Sequence, residues 1–254
     1  MPFTDRHGAT LFGLPLIYRL GRDFQVAEEF GWRDPRDSGR VLTIPAHDLT
    51  KPPGEGNSTD FASVPPFLWG LIASFGKQTL PAVLHDSLTH NARQAPADQR
   101  LELRRTADED FRIALIDSGV HQLRARVMWA SVGMERYARH AGALGVAIIT
   151  QLSLGVLAII GAVVLGIIAT PFWLLLAAAP AIAALAWGRN LNLVLSASYL
   201  GALYAPLVAA AFIGSRLEQL LATVIWVGTG TPGPVPEAEP TLRWPDRGTT
   251  LPPK

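Results

Sequence analysis

The chain contains no cysteine, so it has neither a disulfide nor a thiolate zinc site, and redox chemistry gives no clue to its compartment. Charge is missing over one long stretch: between residues 141 and 213 the single charged side chain is Arg189. A water-soluble domain of that size does not present such a surface. There is no dense Lys/Arg run with interleaved aromatics, and a net charge of +1 gives no field to attract nucleic acid, so no nucleic-acid partner is expected. The first 22 residues lack a basic start followed by an apolar core. No signal peptide is therefore predicted, and the N-terminal region is expected in the cytoplasm.

What is present divides by composition. Residues 1–140 hold most of the charge and read as a soluble α+β domain, a small N-terminal antiparallel sheet plus helices. Residues 141–228 read as an α-helical transmembrane region of about three spans. Residues 229–254, rich in Pro, Gly and Thr, read as a disordered tail. Short apolar runs at 14–18, 24–30 and 40–44, punctuated by Gly21, Asp34-Pro35 and Ser38-Gly39, predict strands, with Phe30 and Trp32 in their core. His47-Asp48, in a proline-bounded loop, is expected at the surface.

Helices are predicted at 65–73, 79–90, from Ala95-Pro96 to Ser118-Gly119, and at 120–140. In the third, Leu101, Ala107, Phe111, Ala114 and Leu115 form a buried stripe, with Asp108 on its edge and Arg104 and Arg105 pairing on a solvated face. In the fourth, Arg124, Arg126, Arg136 and Arg139 face water or lipid headgroups. Residues 142–169 exceed the roughly 20 needed to span a bilayer. Thr170-Pro171 breaks that run, 172–187 returns, and 191–213 spans again before Gly214 to Glu218 interrupts it. Arg136, Arg139, His140 and Arg189 flank these spans as positive-inside topology requires, giving a multi-pass membrane protein.

The densest set of reactive groups lies in residues 57–86: Asp60 and Ser63 precede a proline-started helix, and the next helix carries His85 and Asp86. A cap on the first helical turn is the plain role for Ser63, and Asp60 can brace its loop through an Asx turn. Neighbours on a helix point about 100° apart, so His85 and Asp86 cannot couple to each other and need other partners. His90 lies one turn beyond Asp86, but a metal site needs a further ligand.

The blocks T-D-F-A-S-V-P-P-F-L-W, A-V-L-H-D-S-L and R-R-T-A-D-E-D-F, in that order and spacing, resemble the phage and prophage family known as domain of unknown function 1353, over about residues 12–140. The resemblance implies a small α+β domain whose signature is carried by Thr59, Asp60, Ser63, Pro65, His85, Asp86, Asp108 and Phe111. It implies no activity. The chain departs from the family pattern by inserting K-P-P-G-E-G at 51–56.

Two functions of different class follow. If Asp60, His85, Asp86 and Asp108 converge, with Ser63 beside them, they suit a divalent metal or a histidine base oriented by an acid, and hence a hydrolase acting at the membrane or cell envelope. Alternatively the same residues form a buried polar network in a non-catalytic, membrane-tethered structural or interaction module, with phage or cell-envelope proteins as partners besides the bilayer. A pore is the weakest reading, because the spans carry almost no intramembrane charge to line a polar path. Substrate, metal and oligomeric state are not encoded legibly.

Overall fold

The computed structural model describes residues 2–18, 24–37, 39–48, 50, 58–59, 76–230 and 232–233. Asp60, Ser63, the predicted helix at 65–73, the 51–56 insertion and the tail beyond residue 233 lie outside them. The chain packs as two compact units, Met1–Asn91 with Asp117–Gly119 and Leu207–Lys254, and Ala92–Ile116 with Val120–Pro206.

In the first unit the expected strand runs, together with Phe3–Asp5 and Ser58–Thr59, which the sequence pattern does not predict, form two sheets among the described residues. One has the order β1-β4-β5, built from β1 (Phe3–Asp5), β4 (Phe30–Arg33) and β5 (Val41–Ile44). The other has the order β2-β3-β6, built from β2 (Leu16–Tyr18), β3 (Phe24–Val26) and β6 (Ser58–Thr59). All pairings are antiparallel. The apolar run at 24–30 is thus split between the sheets. The break falls at Glu28 and Glu29, which are exposed, because two adjacent carboxylates cannot continue a strand whose faces are buried.

Phe30 and Trp32 do form core, fully buried together with Phe3, Val26 and Ile44. The Phe3 and Phe30 rings lie 5.9 Å apart at a tilt of 51°, within the favoured aromatic range. Gly31 lets β1 approach β4, since a Cβ there would stand 2.7 Å from Thr4 Oγ1.

The helices begin with α1 (Thr79–Gln94) and α2 (Ala97–Asp117). Gly119, at φ +80°, stops α2 in the left-handed conformation that glycine adopts without steric cost. Then α3 (Gln122–His140) starts with the His121 side chain accepting from the Leu123 N–H at 3.3 Å.

In the second unit α3 packs on α4 (Gly142–Ile168), α5 (Ala179–Ala184) and the first half of α6 (Leu191–Thr229). Short 3-10 segments, Pro171–Ala178 and Leu185–Asn190, flank α5. Its core joins Ala130 and Tyr137 to Ile148, Leu152, Ala184, Leu193 and Val194. The composition change at His140 is therefore not a packing boundary. Small residues bring the elements close: a Cβ on Gly155 would meet Ser198 and Pro180, and one on Gly166 would meet Leu174.

The expected interruption at Gly214 to Glu218 does not occur, because α6 runs unbroken for 39 residues. Two of the polar groups there are engaged on the helix itself. Ser215 Oγ donates to the Phe212 carbonyl at 2.9 Å, and the Arg216 guanidinium lies 4.8 Å from the Phe212 ring centroid, so neither of them forces an exit from helical geometry. Two helical segments, Gly142–Ile168 and Pro171–Thr229, are long and apolar enough to cross a membrane.

Candidate functional site

The L-H-D block sits where the sequence puts it. Pro81 falls in the first turn of α1, where a missing N–H costs nothing, and Ala82, Val83 and Leu84 are buried. These anchor the next turn, so His85 is 8% exposed and Asp86 half-buried. Asp86 points elsewhere from His85, as the helical period requires. Its Oδ2 accepts a hydrogen bond of 2.6 Å from Thr59 Oγ1. Thr59 is itself buried and immediately precedes Asp60 in the chain. The T-D and L-H-D blocks therefore meet, through this hydroxyl.

The polar layer extends through the sheet. On β6, Thr59 pairs with Phe24 and Ser58 with Gln25 of β3. Gln25 is 1% exposed and its Nε2 stands 2.7 Å from His47 Nε2. The His47 N–H donates to the Val26 carbonyl at 2.7 Å. His47, expected at the surface, is thus buried and hydrogen-bonded. Sequence reasoning misses it because its partner is 22 residues away; the alternation of Gln25 with apolar Phe24 and Val26 was the available signal.

Asp108 belongs to a different setting. It is 1% exposed, not on a solvated edge, and it forms an ion pair with Arg136, which is 3% exposed and was expected among water or headgroups. Arg104 and Asp110 are also buried, while Arg105 reaches Glu102 at 3.5 Å. Arg104, Asp108 and Asp110 are therefore internal, Asp108 meeting Arg136 of α3, while Arg105 keeps a partly exposed pairing as expected.

Arg136 Nε and the Nε and Nη1 of Arg104 are buried without a hydrogen-bond partner. Burial pushes the Arg104 guanidinium below its usual value; Glu135 opposes that and Arg93 adds to it. Tyr137 Oη donates to Asn190 Oδ1 at 2.6 Å and Arg189 Nη2 to Glu102 Oε1 at 2.9 Å. These bonds tie the 188–190 turn to α2 and α3, at the same end as His140.

Among the described residues no three His, Asp or Glu side chains group closely enough to hold a metal. Of the expected ligand set, Asp60 lies outside those residues, as does Ser63. His85 and Asp86 occur together on α1, and Asp108 is bound to Arg136 in the other unit. A shallow depression of about 370 Å³, lined by residues including Thr4, Arg33, Asp34 and Asp117, contains none of these block residues. Asp34 accepts from Arg36 Nε at 2.9 Å and Nη2 at 2.8 Å and from Arg40 Nη1 at 2.7 Å. Arg36, against the opposing effect of burial, and Arg40 hold its carboxyl well below the usual carboxylate range. This set closes the β4–β5 turn.

The model of a family described as "Protein of unknown function (DUF1353)" matches residues 24–132. That stretch holds all three sequence blocks, so the resemblance read from them is shown there, over a shorter span than expected. Asp108 lies inside the match and Arg136 beyond it. No curated protein and no solved structure matches the chain.

Proposed function

Taking residues 24–132 as a DUF1353 region, we propose that the chain is a non-catalytic, membrane-tethered interaction module in which the block residues fasten loop and sheet to helix. The observation that carries this is the engagement of Asp86 by the Thr59 hydroxyl at 2.6 Å, with Gln25 and His47 bonded to each other in the buried layer beside it. A carboxylate that accepts a hydrogen bond from a buried hydroxyl acts as an anchor, and a fully satisfied polar layer specifies one packing. Asp108 does the same work with Arg136.

Tethering rests on α4 and α6. Only 17% of the most apolar window of Gly142–Ile168 is buried, whereas the core helix of a soluble protein hides most of such a window. Val146, Leu157, Ile167 and Ile168 all stand open to the surroundings, and lipid satisfies such a surface. On this reading α4 leaves the cytoplasmic side after His140, and the 171–190 segment returns to it at Arg189. The native lack of cysteine provides a clean background for the test. A membrane-impermeant maleimide should label Thr170→Cys in intact cells and Ala141→Cys only after permeabilisation. Equal labelling of both would remove the tether.

The hydrolase reading is favoured by one observation, that the Thr59–Asp86 bond brings the chain next to Asp60 up to the helix of His85. The two readings separate on Thr59→Val and Asp86→Asn. As fasteners, each should lower stability by about 1.5–3 kcal/mol, the range for a hydrogen bond to a charged group, with a non-additive double variant and no effect on divalent-metal affinity. As parts of a reactive site, they should abolish metal binding while the unfolding midpoint stays within a degree or two of wild type.

A further inference from the structure

The buried arginine of the second unit has a use that the fastening role leaves open. Among the described residues, Arg104 feels the acids Glu135 and Asp108 and the cations Arg93 and Arg136, and His140 feels Arg104, Arg93, Glu135 and Arg139. Asp108 takes Arg136, and Glu135 takes Arg139 at 3.2 Å. Arg93 and Arg104 are left without an ion-pair partner among the described residues. Arg93, Arg139 and His140 are exposed, whereas Arg104 is 4% exposed and two of its guanidinium nitrogens have no partner. Arginine does not shed its proton in a protein, so a buried guanidinium with two unbonded nitrogens keeps a desolvation cost that Glu135 and Asp108, which hold no hydrogen bond to it, offset only in part.

Arg104 shares a face of α2 with Asp108, one turn away, and lies within electrostatic reach of Glu135, Arg136 and Arg93; His140 in turn feels Arg104.

We propose that Arg104, with Arg93 and His140 at its mouth, forms a binding site for a phosphate group at the end of the second unit where α4 begins. Two guanidinium forks suit the tetrahedral, multiply accepting oxygens of phosphate better than a single carboxylate. Leu101, one turn before Arg104, packs on the apolar core shared with α4, and the apolar run of α4 opens at Gly142, so the site stands at headgroup depth if α4 spans the bilayer. The phosphate is that of an anionic phospholipid headgroup or of a free phosphate compound. The lipid source rests on the membrane reading above; the free source does not.

The test uses the full chain. Thermal unfolding is followed in detergent with and without inorganic phosphate, using chloride at equal ionic strength as the control. It is followed again in phosphatidylcholine nanodiscs with and without phosphatidylglycerol. Wild type is compared with Arg104→Met, Arg104→Lys and Arg93→Gln.

Phosphate, phosphatidylglycerol or both should raise the wild-type midpoint by several degrees, a rise abolished in Arg104→Met and reduced in Arg104→Lys and Arg93→Gln. A response to phosphatidylglycerol alone assigns the lipid, and one to inorganic phosphate assigns the free anion, even if the chain proves not to span a bilayer. No anion-dependent rise in the wild type overturns the proposal, and so does an equal rise in all variants. If Arg104→Met does not fold, Arg104→Lys and Arg93→Gln decide alone: an undiminished rise in both overturns the proposal.

Discussion

Two buried polar sets, one in each unit, are held in opposite ways. In the first, the layer of Gln25, His47, Thr59 and Asp86 is joined by hydroxyl, amide and imidazole contacts around one half-buried carboxylate. In the second, Asp108 and Arg136 meet as full charges, each almost wholly removed from water, beside a second guanidinium with unpaired nitrogens. A hydrogen-bonded layer around one half-buried carboxylate loses about 1.5–3 kcal/mol when one member goes, less than a buried charge left without its partner. A desolvated ion pair is barely stabilising as a pair yet severe when halved, since the survivor keeps its desolvation cost and loses its Coulomb partner. On the fastening role proposed above, the block that supplies Asp108 acts through charge and the block that supplies Asp86 through hydrogen bonding.

The sharpest way to break that contrast is Asp108→Ala. It leaves Arg136 buried without a counter-ion, and a loss of about 3–5 kcal/mol is expected, read from denaturant unfolding in detergent. Replacing both partners, as Asp108→Leu with Arg136→Met, should recover most of it. A single substitution that costs under about 1 kcal/mol, the range of an exposed pair, would mean the second unit is no more charge-dependent than the first. The smaller penalties for Thr59→Val and Asp86→Asn belong on the same scale, and the ratio of the two losses measures the contrast directly.

Legibility followed the range of the interactions. Phe30 and Trp32 were readable as core because an aromatic strand bounded by turn residues needs only local pattern. The same holds for α1 with its early Pro81, for the Gly119 stop and for the Thr170-Pro171 break. His47 was misread because its partner Gln25 belongs to another strand, and loop polarity alone suggests solvent. Arg136 was misread for a related reason: its spacing on α3 fits a solvated face as well as a buried one, and only Asp108, 28 residues away, distinguishes them. The run through Gly214 to Glu218 looked like a stop because glycine and charge usually end an apolar segment. The back-bond of Ser215 and the stacking of Arg216 on Phe212 were invisible without the helix. Asp60 and Ser63, the most reactive-looking pair in the sequence, stay outside the described residues, so their part in a site is still a reading of the sequence.

The finest probe of the second unit is the exposed ring of His140 at the end of α3. Partial burial, then the guanidiniums of Arg104 and Arg93, push His140 below its usual pKa, with Arg139 adding to this and Glu135 opposing it. The sign of the pH effect follows. Between the depressed folded value and the unfolded value of about 6.5, the unfolded chain holds more protons than the folded one, so stability should fall as pH drops through that window and should not respond above it. An NMR titration of the ring should place its midpoint below about 6.5, and Arg104→Met should move it upward by removing a like charge. A bound phosphate should move it the same way by adding an opposite one. A midpoint insensitive to both would show that His140 is outside the field of Arg104, and the positive end of the second unit would then be a set of separate surface charges.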